Sequence, residues 1–179
     1  MDFNQNYFEI FQLPVAFDLD VDELATRYRQ LQASVHPDKF ASATEHEKRL
    51  SLQWATQING AYDTLRSDLA RAIYLLELND VHIEENPQLA PDFLMAQIEL
   101  REQLDEIGEA DVLDGSDGSL AKRETFKKEG NQHLGDYRSE FAAAYPDDVP
   151  VAQMAVYKLQ FLGTLRASAD KLEEKLLDY

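Results

Sequence analysis

The residue pair His36-Pro37 limits the fold of this chain more than any other feature, because it separates two long helical patterns. Proline disfavours the α conformation in the residue before it, so a helix over 20–35 should end at His36. A second helical pattern runs over 43–65. The sequence therefore predicts a helical hairpin whose tip presents an imidazole, a proline ring and the Asp38 carboxylate to water.

Matching apolar stripes run along these two patterns. The first helix follows Asp20, which is a good N-cap residue, and Glu23 lies three positions further on as in a capping box. Helices with stripes of similar length pack as antiparallel pairs. Shorter helices are predicted over 4–13 and 68–78. The two facing stripes consist of Leu24, Tyr28, Leu31 and Val35, and of Leu50, Trp54, Ile58, Ala61 and Leu65.

Helical periodicity lapses over 79–91, where asparagine and proline are frequent. We therefore expect a first domain at 1–78, a linker at 79–91 and a second domain at 92–179. No segment shows the alternation of apolar and polar residues that is typical of a half-buried strand. The predicted class is all-α, with a helical hairpin followed by a three-helix bundle. The bundle helices are predicted over 91–107, 120–145 and 151–177, with a flexible loop at 111–119.

The chain is strongly acidic, with 34 acidic and 17 basic residues and a formal net charge of −17. Residues 1–79 contain 12 acidic and 7 basic side chains, a net charge of −5, and residues 80–179 contain 22 and 10, a net charge of −12. Nucleic acids and anionic membranes bind clustered Lys and Arg, so neither is an expected partner. Proteins with basic patches are the expected partners.

Two further absences in the sequence restrict its class. The chain contains no cysteine, which excludes disulfides, thiolate metal sites and cysteine nucleophiles. Its first residues lack the basic and apolar regions of a secretory signal, and no apolar run approaches the ~18 residues of a membrane helix. We expect a cytoplasmic protein.

The helix predicted over 91–107 has apolar residues on two faces. At about 100° per residue, Phe93, Leu100, Leu104 and Ile107 share one side and suffice as its core face. Apolar residues ringed by carboxylates are typical of a protein-binding patch, in which methionine supplies adaptable contact. Burial of the helix on two sides within a bundle is the alternative explanation. The second face contains Leu94, Met95 and Ile98 together with Glu99, Glu102 and Glu106.

A His-Pro-Asp sequence between two amphipathic helices resembles a J-domain, and the second half of the chain is similar to the HscB family. The similarity lies in Phe93-Leu94-Met95, in the segment 99–107 and in the closing segment 171–178. The stretch 36–42 and Thr64-Leu65-Arg66 fit the same family. The resemblance covers nearly the whole chain.

The resemblance implies a co-chaperone of iron–sulfur cluster biogenesis. In HscB proteins, the J-domain stimulates ATP hydrolysis by HscA, a DnaK-class chaperone, and the three-helix domain carries the scaffold protein IscU to it. The implied chaperone-binding residues are His36, Pro37, Asp38, Arg27, Arg29 and Lys39. The implied scaffold-binding residues are Leu94, Met95, Ile98, Glu99, Glu102, Glu106 and Phe161.

Asp38 is the candidate with the most specific chemical role. A carboxylate at an exposed tip can accept two parallel hydrogen bonds from an arginine of a partner. Aspartate after proline is also ordinary turn chemistry, so a helix stop is the alternative explanation. Some family members carry an additional cysteine-containing segment at the N-terminus. This chain has none, so we expect no bound cluster or zinc.

Two other functions compete with this hypothesis. A general J-domain protein that serves unfolded polypeptides is one, although the chain has no Gly/Phe-rich linker, Cys-rich zinc module or β-rich substrate domain. An enzyme is the other, although no nucleophile–base arrangement or phosphate loop is present. His46, His82 and His133 show no metal-ligand spacing. We therefore expect no catalytic residue, cofactor or metal.

Overall fold

The computed structural model describes residues 4–36, 39, 43–85, 87–114 and 116–177. Within these ranges the regular structure is helical and no strand occurs, which confirms the predicted all-α class. No helix of the described ranges is long and apolar enough to cross a membrane. The chain divides into two compact units between His82 and Ile83, a point inside the segment that we predicted as the linker.

The first unit is built on a helical hairpin. Its helices are α1 (Tyr7–Ile10), α2 (Val21–Val35), α3 (Glu45–Arg66) and α4 (Asp68–Glu77). The α2 and α3 helices pack side by side, and Leu24, Trp54, Ile58 and Leu65 are buried as the stripes predict. Leu50 departs from the predicted stripe, because its side chain is 37% exposed while the neighbouring Ser51 is buried.

Local capping explains where these helices begin. The Asp20 side chain accepts hydrogen bonds from the backbone N–H groups of Asp22 and Glu23, both at 3.0 Å, which confirms the predicted N-cap. The predicted capping box is not completed, because the Glu23 carboxylate pairs with Arg27 instead. Thr44 and Glu47 form a complete capping box at the start of α3. The first helix is shorter than the predicted 4–13, because the chain turns after Ile10 and Gln12 adopts a left-handed φ of 54°.

A buried arginine joins three segments of the first unit. Arg71 of α4 is 2% exposed, and its Nε donates to the Phe17 carbonyl oxygen at 2.7 Å. Its two other guanidinium nitrogens donate to the Leu65 carbonyl oxygen and to the Asp68 carboxylate. A buried guanidinium is costly unless its donors are satisfied, and these acceptors satisfy donors on each nitrogen. Arg71 thus holds α4 to the end of α3 and to the loop before α2.

The second unit is a three-helix bundle, as predicted. Its helices are α5 (Pro91–Asp114), α6 (Ser116–Ala144) and α7 (Val149–Leu177), and each packs on the other two. The sequence places apolar residues on all three helices toward a shared interior, so burial of these side chains stabilises the bundle. Its buried cluster consists of Phe93, Leu100, Leu104, Ile107, Phe126, Phe161, Leu162 and Leu165.

The predicted loop at 111–119 is wrong for its described residues. The α5 helix continues past Gly108 to Asp114, and α6 begins at Ser116 rather than at Leu120. Glycine weakens a helix by only about 1 kcal/mol, and packing of long neighbouring helices can offset that cost. At Gly108 an added Cβ would lie 3.3 Å from the Leu172 side chain, so the glycine fits a close approach of α7.

Candidate functional sites

The first candidate site is the tip that follows α2. Val35 ends the helix, and His36 has an extended backbone with φ −59° and ψ 132°, as expected before proline. The backbone N–H of Lys39 donates to the His36 carbonyl oxygen at 3.0 Å, and both side chains are exposed. Pro37 and Asp38 lie outside the described residues. The structure therefore brings His36 and Lys39 into one turn at the exposed end of the hairpin.

The helix that leads to this tip is fixed at its last turn. The hydroxyl of Ser51 on α3 donates to the Val35 carbonyl oxygen at 2.6 Å, and this hydrogen bond is buried. The carbonyl groups at the end of a helix have no partner within the helix, so a donor from a neighbouring helix replaces water there. Ser51 therefore ties the residue immediately before His36 to α3.

Arg27 and Arg29, the two arginines predicted to contact a chaperone, have different surroundings. Arg27 is half-buried, and its Nη1 donates to the carbonyl oxygens of Phe11, at 2.7 Å, and Gln12. Its Nη2 pairs with Glu23. Arg29 is exposed and donates to the hydroxyl of Thr26 at 3.1 Å. The guanidinium of Arg27 thus holds the turn after α1, whereas Arg29 presents its charge to solvent.

The second candidate site is the outer face of α5. Leu94 is 44% exposed, Met95 is 59% exposed and Ile98 is 52% exposed, while Phe93 and Leu100 on the opposite side of the helix are buried. The alternative of a helix buried on two sides is therefore wrong. The three carboxylates expected beside the apolar side chains, Glu99, Glu102 and Glu106, are also exposed.

Phe161 is placed differently from the other candidates of this face. Its ring is 8% exposed and packs edge-on against Phe93, with 5.9 Å between the ring centroids. The guanidinium of Arg101 lies over the same ring, with Cζ 5.7 Å from its centroid. Phe161 therefore belongs mainly to the core between α5 and α7, next to the exposed face rather than on it.

Arg101 is a residue that the sequence analysis did not single out. It is exposed, and it is the only basic residue among the 24 residues of α5. The isolated positive charge in an acidic helix was a signal available in the sequence. Its contact with Phe161 was not available, because the two residues are 60 positions apart and meet only in the folded bundle.

The pKa values of Tyr74, Tyr137 and Glu47 are displaced, and none of these three is a predicted site residue. Burial raises the pKa of the Tyr74 and Tyr137 hydroxyl groups above 10.0. Hydrogen bonds from the Thr44 side chain and backbone lower the pKa of Glu47 below 4.5. These directions follow from burial and helix capping, and they indicate no acid–base chemistry.

No group of three or more histidine, cysteine, aspartate or glutamate side chains within the described residues is arranged to hold a metal ion. The candidate sites are instead surfaces. One presents polar and cationic groups around a turn, and the other presents apolar side chains beside carboxylates. Arrangements of this kind suit contact with other proteins.

Residues 89–170 match the family model described as the HSCB C-terminal oligomerisation domain. The chain is 40% identical to a co-chaperone protein HscB homolog of Photobacterium profundum, over 97% of this chain and 99% of that protein. It is 38% identical to a homolog of the same description from Shewanella amazonensis, over 97% of this chain and 99% of that protein.

Two solved structures are also similar. Chaperone HscB from Vibrio cholerae superposes with a TM-score of 0.83 and 33% identity, over 96% of this chain and 99% of that chain. The crystal structure of human co-chaperone protein HscB gives a TM-score of 0.85 at 26% identity, over 100% of this chain and 86% of that chain. The similarity therefore extends over both units.

Proposed function

This chain belongs to the HscB family of co-chaperones, and we propose that it acts in iron–sulfur cluster biogenesis. In this proposal the second unit binds an IscU-type scaffold protein, and the first unit stimulates ATP hydrolysis by an HscA-type chaperone of the DnaK class. The protein itself performs no chemical step. It works in the cytoplasm by bringing the scaffold and the ATPase signal to the chaperone together.

The observation that carries the proposal is the exposed apolar group on α5. Three neighbouring side chains, Leu94, Met95 and Ile98, are about half exposed although the same helix already has a complete buried face. Exposed apolar side chains grouped in one place mark interaction surfaces. The exposed carboxylates beside them favour a partner with basic residues, because opposite charges guide and orient association.

The tip of the hairpin is the proposed contact for the chaperone. His36 and Lys39 are exposed there, and Pro37 and Asp38 join them in the sequence. A carboxylate at this position can pair with an arginine of the chaperone in a bidentate manner, which neither asparagine nor alanine can reproduce. Arg29 adds exposed charge on α2. Arg27 contributes indirectly in this proposal, by holding α2 to the turn after α1.

The two surfaces lie on different units, so separate substitutions should separate the two activities. The Asp38→Asn variant should lose stimulation of the chaperone ATPase and keep its affinity for the scaffold. Replacement of Leu94, Met95 and Ile98 together by alanine should abolish scaffold binding and keep basal stimulation of the ATPase. Leu52→Ala is a matched control, since Leu52 is 61% exposed but lies on α3.

Single-turnover ATP hydrolysis by an HscA-type chaperone provides the measurement, with this protein, with an IscU-type scaffold, and with both. We expect the two together to accelerate hydrolysis by more than the product of their separate effects. Purely independent effects would contradict the coupling role. Tighter binding of unfolded polypeptides than of the folded scaffold would favour a general J-domain co-chaperone instead.

A further inference from the structure

Charged side chains are distributed asymmetrically on the exposed face of α5. At about 100° per residue, Leu94, Ile98 and the exposed Asp105 fall within about 40° of one another on this face. The carboxylates Glu99, Glu102 and Glu106 lie on one flank, toward Met95. Arg101 lies on the opposite flank, on the side from which α7 approaches through Phe161. The face therefore has three carboxylates on the flank toward Met95 and its one positive charge, Arg101, on the opposite flank beside Leu94, with the Asp105 carboxylate one turn further along the helix.

Arg101 forms no ion pair among the described residues, although the exposed Asp105 follows one turn later on α5. Its guanidinium lies over the Phe161 ring instead, and Phe93 packs edge-on against the same ring. A cation–π contact restrains the guanidinium and uses none of its N–H donors in a hydrogen bond.

We propose that Arg101 receives a carboxylate of the scaffold partner and thereby fixes the orientation in which the partner docks on α5. This inference rests on the proposed function of the α5 face. The fitting surface has an apolar centre, basic residues opposite Glu99, Glu102 and Glu106, and an acidic residue opposite Arg101. A partner docked in the reverse direction would place like charges together on both flanks, which is unfavourable.

The restraint on Arg101 contributes to this role. A long side chain loses rotamer freedom when it is fixed in an interface, and that loss weakens binding. Because Arg101 already rests on a buried ring, part of its rotamer freedom is lost before the partner binds, and binding itself costs less entropy. Its planar group can then donate two N–H hydrogen bonds from one edge to a carboxylate while its face stays on Phe161.

Charge substitutions at position 101 test the inference by calorimetric titration with a purified IscU-type scaffold. Arg101→Glu should weaken binding by about tenfold or more, and Arg101→Gln should weaken it by several-fold. Arg101→Lys keeps the charge and should retain most of the affinity. Arg166→Glu is the matched control, because Arg166 is an exposed arginine on α7 and the variant makes the same change in net charge.

A charge swap distinguishes a direct pair from a general effect of charge. In a set of scaffold variants with single Asp or Glu residues changed to Lys, one should restore the binding of Arg101→Glu and weaken the binding of the unmodified protein. Equal affinity of Arg101→Glu and the unmodified protein would overturn the inference, as would equal weakening by Arg166→Glu. Circular dichroism and thermal melting establish that each variant is folded.

The same titrations separate this inference from the proposed function. If the unmodified protein does not bind the scaffold, the proposed function of the second unit fails. If it binds, and the triple alanine variant at Leu94, Met95 and Ile98 does not, the proposed surface stands. Unchanged binding by Arg101→Glu then rejects the role of Arg101 alone.

Discussion

At the scale of single residues, Arg27 and Arg29 lie close together on α2 but have different roles, one structural and one at the surface. The sequence places both beside the predicted hairpin tip, and the resemblance assigns both to the chaperone contact. In the fold, the guanidinium of Arg27 lies at the carbonyl end of α1, where a cation is favourable and unpaired carbonyl oxygens need donors. Arg29 remains at the surface.

This difference predicts opposite outcomes for two matched substitutions. Arg27→Gln should lower the free energy of unfolding by about 1–2 kcal/mol, because it removes hydrogen bonds to the Phe11 and Gln12 carbonyl groups. Arg29→Gln should change it by less than about 0.5 kcal/mol, as is usual for exposed positions. Urea denaturation followed by circular dichroism measures both.

The two substitutions should have the opposite order of effect on chaperone stimulation. Measured without denaturant, where both variants are folded, Arg29→Gln should reduce stimulation of the chaperone ATPase more than Arg27→Gln does. An Arg27→Gln protein that is as stable as the unmodified chain would contradict the structural role assigned here to its guanidinium.

The exposure of the candidate site residues was predictable from the sequence only where it depends on a single helix. Leu94, Met95 and Ile98 were identified because a helical wheel separates them from the buried face, and their exposure follows from that separation. Phe161 came from the resemblance alone, and its burial depends on how α7 meets α5. The contact between Arg101 and Phe161 has no local signature, since it is a product of tertiary packing.

At the scale of helices, periodicity and capping predicted where most helices lie, whereas glycine content led to the wrong prediction of a loop at 111–119. The apolar stripe of α2 and its Asp20 cap depend on residues within the helix and were predictable. The loop at 111–119 was inferred from local composition. The backbone is nevertheless helical to Asp114 and again from Ser116. Helical stability in proteins comes mostly from tertiary packing rather than from local propensity, so glycine content alone is a weak guide.

The glycines within these helices should respond to alanine according to their surroundings. Beyond its chain neighbours and the backbone of its own helix, an added Cβ at Gly135 of α6 would have no atom within 4 Å, whereas at Gly108 of α5 the Leu172 side chain would lie at 3.3 Å. Gly135→Ala should raise the free energy of unfolding by about 0.5–1 kcal/mol, because alanine restricts the unfolded chain and favours the helix. Gly108→Ala should gain less, since Leu172 must shift.

Denaturation of the two variants in parallel makes this comparison, and thermal midpoints should follow the same order. A larger gain for Gly108→Ala than for Gly135→Ala would mean that α7 does not approach α5 as closely as the distance to Leu172 indicates.

At the scale of the whole molecule, the chain separates two surfaces of different character onto two units. The division between His82 and Ile83 falls within the segment where helical periodicity lapses, and the formal net charge is −5 over 1–79 and −12 over 80–179. Periodicity and charge can be read directly from an amino-acid sequence. The identity of the partners cannot be read from them, and it was inferred from the family resemblance.

The acidic character of the second unit predicts a dependence of scaffold binding on salt. Raising the salt concentration from about 50 mM to about 500 mM shortens the distance over which charges act from more than about 10 Å to a few ångströms. Affinity for the scaffold should therefore fall, mainly through a slower association rate. Stopped-flow association measurements provide the test.

The apolar part of the contact supplies the control. The dissociation rate should depend less on salt, because burial of Leu94, Met95 and Ile98 does not involve charge. An association rate that is independent of salt would remove the carboxylates Glu99, Glu102 and Glu106 from the docking surface.

The burial of Arg71 also has a consequence for proteolysis. Trypsin cleaves after arginine, but it must first draw an extended, accessible stretch of chain into its active site. The Arg71 side chain is 2% exposed and bonded to the Phe17 loop, to the end of α3 and to Asp68, so no local fraying frees it. Cleavage after Arg71 therefore requires α4 to detach from the Phe17 loop and from the end of α3, and its rate reports how often that opening occurs.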